Sequence, residues 1–248
     1  MTGDDGYFDE EVAAGYDAAT SGMYDQSIID AIVDVLSELA GDGRALEFGV
    51  GTGRIALPLA RRGVEVYGID MSKAMVDRLR DKPGGQAIGV TIGNFAGARA
   101  PGDFSLTYLV FNTINNLTTQ DEQIACFVNA ARHLTPGGFF VIEVGVPALR
   151  LLPPGQRAVP FDVGDASWAY DLYDCATQSM SSNYVDDVDG QARLRSIPFR
   201  YVWPAELDLM AQMAGLHLQH RWAGWQREPF TSDSAQHVSV WEKPLLQD

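Results

Sequence analysis

The sequence predicts a doubly wound α/β fold, a mostly parallel sheet into which an antiparallel sheet has been inserted late in the chain. Residues 44–60 read as a buried strand, a glycine loop and the start of a helix. Short apolar runs then alternate with helical patterns as far as residue 145, the order expected of parallel strands joined by crossover helices. From residue 146 to about 203 this order gives way to prolines and alternating aromatic segments, which an antiparallel insertion explains.

A chain of 248 residues with 46% hydrophobic content can bury one sizeable core, so a single domain carrying an insertion is expected. The formal net charge of -15 argues against nucleic acid or an anionic membrane surface as a partner. Cys126 and Cys175 are too few for a disulfide framework or a metal cluster, and reduced, buried or half-buried thiols are expected. The histidines, at 133, 217, 220 and 237, are scattered, so no metal site is expected. No apolar run approaches the roughly 18 residues of a membrane span. The N-terminus is acidic, unlike a secretory signal, and a cytoplasmic protein is expected.

Residues 1–25 are polar and glycine-rich but carry Tyr7, Phe8, Tyr16 and Tyr24, and they are ordered only if those rings are buried. Ile28, Ile32, Val35, Leu36 and Leu39 recur with a helical period that Gly41 and Gly43 end. Residues 45–48 form a short apolar run suited to a parallel strand buried on both faces. Gly49, Gly51 and Gly53 then alternate, letting the backbone turn sharply and approach a ligand where a Cβ would collide. The helix over 55–62 stops at Gly63, and its first N–H groups face the loop and favour a carboxylate or phosphate.

The second strand, 64–69, ends in Asp70, about 20 residues past the loop, where a carboxylate can accept both ribose hydroxyls of an adenosine. Capping the helix over 72–80 is its structural alternative. Residues 86–92 read as a third strand before Gly93-Asn94-Phe95, and 104–111 as a fourth before Asn112-Thr-Ile-Asn-Asn116. Polar side chains at the open end of that strand can face a reacting centre, and turn chemistry accounts for them equally well. Thr119-Gln-Asp-Glu122 is a capping box that opens a helix, Pro136-Gly137-Gly138 is expected to stop it, and 139–144 is a fifth strand. His133 reads as a helix-end residue favoured by the dipole rather than as a catalyst. In the insertion, Trp168, Tyr170, Tyr173, Tyr184 and Tyr201 mark the alternating segments, and residues 187–190 signal a hairpin turn. Pro204 starts a helix ending at Gly215, and strands at 216–222 and 237–243 finish the chain.

The loop spacing bears on the cofactor. A dinucleotide loop reads Gly-x-Gly-x-x-Gly, whereas here the third glycine comes one residue early, Arg54 takes the dinucleotide position, and Glu47 stands two before the first glycine. Glu47-Phe-Gly-Val-Gly-Thr-Gly53 resembles motif I of the class I S-adenosylmethionine-dependent methyltransferases. The run from His133 through Pro136-Gly-Gly to Glu143 resembles the segment joining the fourth helix to the fifth strand in that family.

This resemblance, strong over residues 40–145 and looser at the C-terminal end, implies a Rossmann-like seven-stranded sheet with S-adenosyl-L-methionine as cofactor. The regions are then a cofactor-binding core with an N-terminal lid segment (1–145), an acceptor-side sheet (146–203) and a completion of the core sheet (204–248). The cofactor residues it implies are Glu47, Gly49, Gly51, Gly53 and Arg54 in the loop, Asp70 and Met71 after the second strand, Asn94 and Phe95 after the third, and Phe111 and Asn112 after the fourth. Tyr16 and Tyr24 join them from the lid segment, although core packing accounts equally for Tyr16. At Asn94 the family usually carries an acidic residue; the amide oxygen can still accept from an adenine amino group.

The layout of the insertion resembles small-molecule methyltransferases, including those acting on amino groups of nucleotide-linked sugars, which often have a histidine where this chain has Asn116. The implied reaction is methyl transfer to a nitrogen or oxygen of a small-molecule acceptor such as a secondary metabolite. Tyr16 and Asn116 are the catalytic candidates, with Tyr24 and His220 as further possible bases. An edge of the inserted sheet leaves room for a homodimer. The alternatives are a nicotinamide-dependent oxidoreductase and a protein that binds S-adenosylmethionine without turnover.

Overall fold

The computed structural model describes residues 7–20, 25–164, 167–188 and 191–245; Tyr24 and the hairpin tip at 189–190 lie outside them. In chain order the strands are β1 (Arg44–Phe48), β2 (Glu65–Asp70), β3 (Gly89–Ile92), β4 (Phe104–Leu109), β5 (Leu134–Gly145), β6 (Ala158–Val163), β7 (Ser167–Tyr173), β8 (Ser179–Val188), β9 (Gln191–Arg200), β10 (His217–Trp222) and β11 (Gln236–Glu242). The helices are α1 (Glu10–Thr20), α2 (Gln26–Ala40), α3 (Ala56–Arg61), α4 (Lys73–Arg80), α5 (Gln120–His133) and α6 (Pro204–Met213).

One sheet has seven strands in the order β10-β11-β5-β4-β1-β2-β3, and the other has four in the order β6-β7-β8-β9. Strands β1 to β5 run parallel, while β11 pairs antiparallel with β5 and β10 with β11. Strand order reverses between β1 and β4, and a ligand crevice is expected beyond the carboxyl ends of those two strands. Apolar layers cover both faces. Ile32 and Leu36 of α2 and Leu57 and Leu59 of α3 pack on one side. On the other, Phe127 of α5 meets Phe140 and Trp241 edge-on, with ring centroids 5.1 and 5.4 Å away. No helix among the described residues is long and apolar enough to cross a membrane.

Local geometry departs from the sequence reading in four places. Strand β3 begins at Gly89 rather than residue 86, because Gly85–Ala87 form a 3-10 turn in which Gly85 packs against the Leu79 carbonyl too closely for any side chain. Strand β4 ends at Leu109, since Phe111 and Asn112 both take left-handed backbone, φ 57° and 61°. Pro136-Gly137-Gly138 does not stop α5. The helix ends at His133 and β5 starts at once, with a bulge that places Leu134 opposite Phe104 and Phe139 opposite Leu106. The bulge is tied to the far end of the sheet, where the Gly137 N–H donates to the Lys243 carbonyl (2.7 Å) and the Lys243 N–H to that of Gly138 (2.8 Å). Cys126 is buried as expected, whereas Cys175 is exposed.

A buried polar network anchors the inserted sheet to the core. Arg200, 6% exposed at the end of β9, donates to Glu206 of α6 (2.7 Å) and to Gln123 of α5. Gln123 in turn donates to the carbonyls of Ile114, Leu117 and Arg200, and Gln120 and Gln178 donate to Glu206. Burial alone would raise the Glu206 carboxyl, but the hydrogen bonds from Arg200, Gln178 and Gln120 outweigh it and hold the group below its ordinary value of 4.5. The stability this contributes is complete above pH 4.5 and is lost as pH falls through the folded-state value. Arg200→Leu, which strands Glu206, should cost about 3 to 5 kcal/mol in urea unfolding at neutral pH. Glu206→Gln should lose less stability than wild type on acidification below 4.5; a neutral Arg200→Leu would mean the two sheets are joined elsewhere.

Candidate active site

A cavity of about 660 Å³ opens beyond the carboxyl ends of β1 and β4 and continues to the inner face of the four-stranded sheet. Its volume falls within the roughly 300–1,000 Å³ of small-molecule sites.

The glycine loop forms one end. Gly49, Gly51 and Gly53 all have positive φ, 73°, 53° and 78°. An added Cβ would lie 2.2 Å from a Leu79 methyl at Gly53 and 2.7 Å from a Thr113 methyl at Gly49. At Gly51 it would meet nothing nearer than the Met75 methyl at 3.6 Å, because Gly51 faces the cavity. The N–H groups of Gly49 and Val50 donate to the Ile69 carbonyl. Asp70 holds the next turn, accepting from the Gly51 N–H (2.6 Å) and the Ser72 N–H (2.8 Å) while lining the cavity. Ser72, not Asp70, caps α4, and its hydroxyl also donates to the Phe8 carbonyl. This open glycine and adjacent carboxylate form a cradle that fits an adenosine-containing cofactor.

Other expected residues reach the same cavity. Phe95 lines it and stacks on Phe48 (5.8 Å), and Met71 sits exposed on its wall. Asn94 also lines it, its side-chain oxygen accepting from the Ala96 N–H (2.9 Å). Tyr16 is brought in by α1, which Asp17 ties to Thr52 (2.6 Å) and Lys82 (2.5 Å), and Glu10 to Arg78. Burial pushes the Tyr16 hydroxyl above its ordinary value, and the Arg54 guanidinium pulls it partly back. That guanidinium lies 5.5 Å from the Tyr16 ring and 5.2 Å from the Phe111 ring.

Phe111 and Asn112 line the cavity from their left-handed corner. The Phe111 N–H donates to the Glu143 carboxylate (3.0 Å), and Asn112 accepts from the Gly145 N–H (2.6 Å). Asn116 is present as well, donating to the Thr113 carbonyl (3.2 Å).

Gly53, Arg54 and Glu47 lie outside the lining. Glu47, 3% exposed, is behind the loop and accepts from the Tyr108 hydroxyl (3.0 Å). Burial, reinforced by the nearby charge of Asp70, pushes its carboxyl up to about 8 against hydrogen bonds from Tyr108 and the Ala56 backbone. His220 is on the exposed edge strand β10, stacked on Trp222 away from the cavity. His133 is buried; its Nε2 accepts from the Ala100 N–H (3.0 Å), so Nδ1 carries the proton toward the Asn129 carbonyl (2.8 Å). It ends α5 as expected, and burial lowers its pKa, so it packs there as a neutral group.

Two contributions were not singled out residue by residue in the sequence. Asn115 lines the cavity with a buried side-chain oxygen that has no hydrogen-bond partner among the described residues. Asp171, Met180, Ser182, Ile197 and Phe199 form the far wall together with Tyr173, Tyr184 and Tyr201. The available signal was the two-residue spacing of Asp171 and Tyr173, which puts both on one strand face.

Residues 45–138 match the methyltransferase domain family. The CcbJ methyltransferase of Streptomyces caelestis is 34% identical and superposes with a TM-score of 0.82, covering 97% of this chain and 99% of that one. The chain is a class I S-adenosylmethionine-dependent methyltransferase. The cypemycin N-terminal methyltransferase of a Streptomyces species is 28% identical over 246 residues, 97% of this chain and 99% of that protein. DesVI of Streptomyces venezuelae shares the fold at 20% identity and a TM-score of 0.66, covering 92% of this chain and 97% of that one. The methyltransferase uses S-adenosyl-L-methionine and methylates a nitrogen or oxygen of a small-molecule acceptor.

Glu47 gives the unliganded methyltransferase a pH signature. The folded state keeps a proton up to about 8 that the unfolded chain releases near 4.5, so stability falls as pH rises through that window. Urea unfolding of Glu47→Gln from about pH 5 to 8 should show a flatter pH dependence than wild type; equal slopes would mean that Glu47 is ionised in the fold.

Proposed function

We propose that the methyltransferase acts on an amine nitrogen of a small, ring-bearing acceptor held beneath the inserted sheet. The carrying observation is the cavity wall: aromatic rings, amides, hydroxyls and two carboxylates, with no histidine, lysine or arginine among the described lining residues. An alcohol oxygen needs a strong, positioned base as it attacks, whereas an amine has only to shed a proton beforehand. The wall suits the second nucleophile. That the cypemycin enzyme, alike over its whole length, is named for methylation at an N-terminus points the same way.

Bound at the loop, S-adenosyl-L-methionine supplies an electrophilic methyl group on a sulfonium. Asp70 takes the ribose hydroxyls, Gly51 leaves room for the ligand, and Asn94 and Phe95 receive the adenine. The rings of Tyr16 and Phe111 favour the positive charge of the donor. Asn115 and Asn116 orient the acceptor N–H from the corner after β4. The protein contributes chiefly alignment, worth up to about 7 to 11 kcal/mol when a near-attack geometry is held.

Paired acceptors differing only in nucleophile, benzylamine against benzyl alcohol and cyclohexylmethylamine against cyclohexylmethanol, test the reading through S-adenosylhomocysteine release and product mass spectra. Methylation at nitrogen is expected; product formed only at hydroxyls would overturn it. Asp70→Ala should weaken S-adenosylmethionine by about 1.5 to 3 kcal/mol, roughly 10- to 150-fold, in calorimetric titration. Unchanged affinity would limit Asp70 to bracing the loop.

A further inference from the structure

The far wall of the cavity holds a carboxylate whose place neither the fold nor the donor site explains. Asp171 lies in the middle of β7, directly opposite Ser182 of β8, with Ile197 of β9 completing the row. Its Oδ1 accepts from the Ser182 hydroxyl (2.6 Å) and its Oδ2 from the Tyr173 hydroxyl (3.3 Å), and the residue lines the cavity. Both neighbours are neutral, and Asp171 forms no ion pair among the described residues. Arg195, in the adjacent row, lies over the rings of Tyr184 (4.9 Å) and Tyr7 (5.9 Å) instead. Partial burial pushes the Asp171 carboxyl above its ordinary value, with Ser182 and Tyr173 opposing the shift.

A carboxylate partly withdrawn from water without a countercharge is unfavourable on a cavity wall whose other described residues are aromatic, apolar or hydroxylic. A threonine would serve the cross-strand contact with Ser182 without that cost. The two donated hydrogen bonds fix the direction of the carboxylate while adding no positive charge, so what the arrangement lacks is a cation. Tyr173, Tyr184 and Tyr201 line the same wall and can offer ring faces to it.

We propose that Asp171 is the specificity-determining carboxylate for the acceptor, binding it as an ammonium ion. The assignment rests on the amine reading of the site. The acceptor docks protonated, with an N–H of the ammonium donated to Asp171 and the tyrosine rings around the charge. The proton leaves to water before the neutral nitrogen attacks, so Asp171 acts in recognition and not in bond-making. Selection is then by charge first and by ring shape second, and neutral isosteres are rejected because they leave Asp171 without a partner.

The test uses benzylammonium, which is protonated at neutral pH, and the neutral benzyl alcohol as probes, titrated by NMR into protein saturated with S-adenosylhomocysteine. Wild type should bind the cation more tightly than the alcohol. Asp171→Asn should weaken the cation roughly 10- to 100-fold, leaving the alcohol and S-adenosylhomocysteine affinities unchanged. Asp171→Glu should recover most of the cation affinity. Equal binding of the cation by wild type and Asp171→Asn, or no preference of wild type for the cation, overturns the assignment. The two readings fail separately: hydroxyl-only methylation with Asp171-dependent cation binding removes the amine reading alone, whereas amine methylation with an unchanged KM in Asp171→Asn removes Asp171 alone.

Discussion

The glycine-loop end of the cavity depends on one carboxylate held between two strand ends. Asp70 closes β2 and accepts from Gly51, in the loop that leaves β1, and from Ser72, the cap of α4. Hydrogen bonds to a charged acceptor contribute about 1.5 to 3 kcal/mol each, enough to hold a left-handed glycine turn that has little side-chain packing of its own. Ser72 extends the chain of constraint through its hydroxyl to the Phe8 carbonyl, and so to the segment bearing Tyr16. The alignment of the loop, α4 and the segment leading into α1 therefore follows from where β2 places a single side chain.

The end of the cavity beneath the inserted sheet is fixed by different means. Two consecutive non-glycine residues in left-handed backbone, Phe111 and Asn112, carry strain of roughly 1 to 3 kcal/mol each, offset by the Glu143 carboxylate on one N–H and by the Asn112 bond to Gly145. The inserted sheet is locked above this corner by Arg200, whose guanidinium bridges α5 and α6. Charge is distributed to match. Arginine and lysine side chains brace α1 and the network behind the wall, while the described lining residues are carboxylates and neutral groups.

The parts legible in the sequence were those set by local chemistry. The alternating glycines, the acidic end of β2, the Thr119 capping box and the Pro204 helix start each act within a few residues, and each is found where expected. The antiparallel character of the insertion also followed from its alternation. What could not be read depends on pairing across the chain. Pro136-Gly137-Gly138 serves as a bulge because Lys243, more than a hundred residues on, is there to receive it. His133 is neutral because Ala100 and Asn129 enclose it. Asp171 reaches the cavity wall beside Ser182 only when β7 and β8 are in register, and Glu47 recedes behind the loop because Tyr108 of β4 reaches it from the neighbouring strand.

The most direct measurement is a crystal structure with S-adenosylhomocysteine bound, since it tests whether one cavity is divided between donor and acceptor. The ribose hydroxyls should lie on Asp70, with the sulfur turned toward the Phe111 corner and the space beneath Asp171 left open. A ligand whose ribose avoids Asp70, or which fills the space beneath Asp171, would contradict that division.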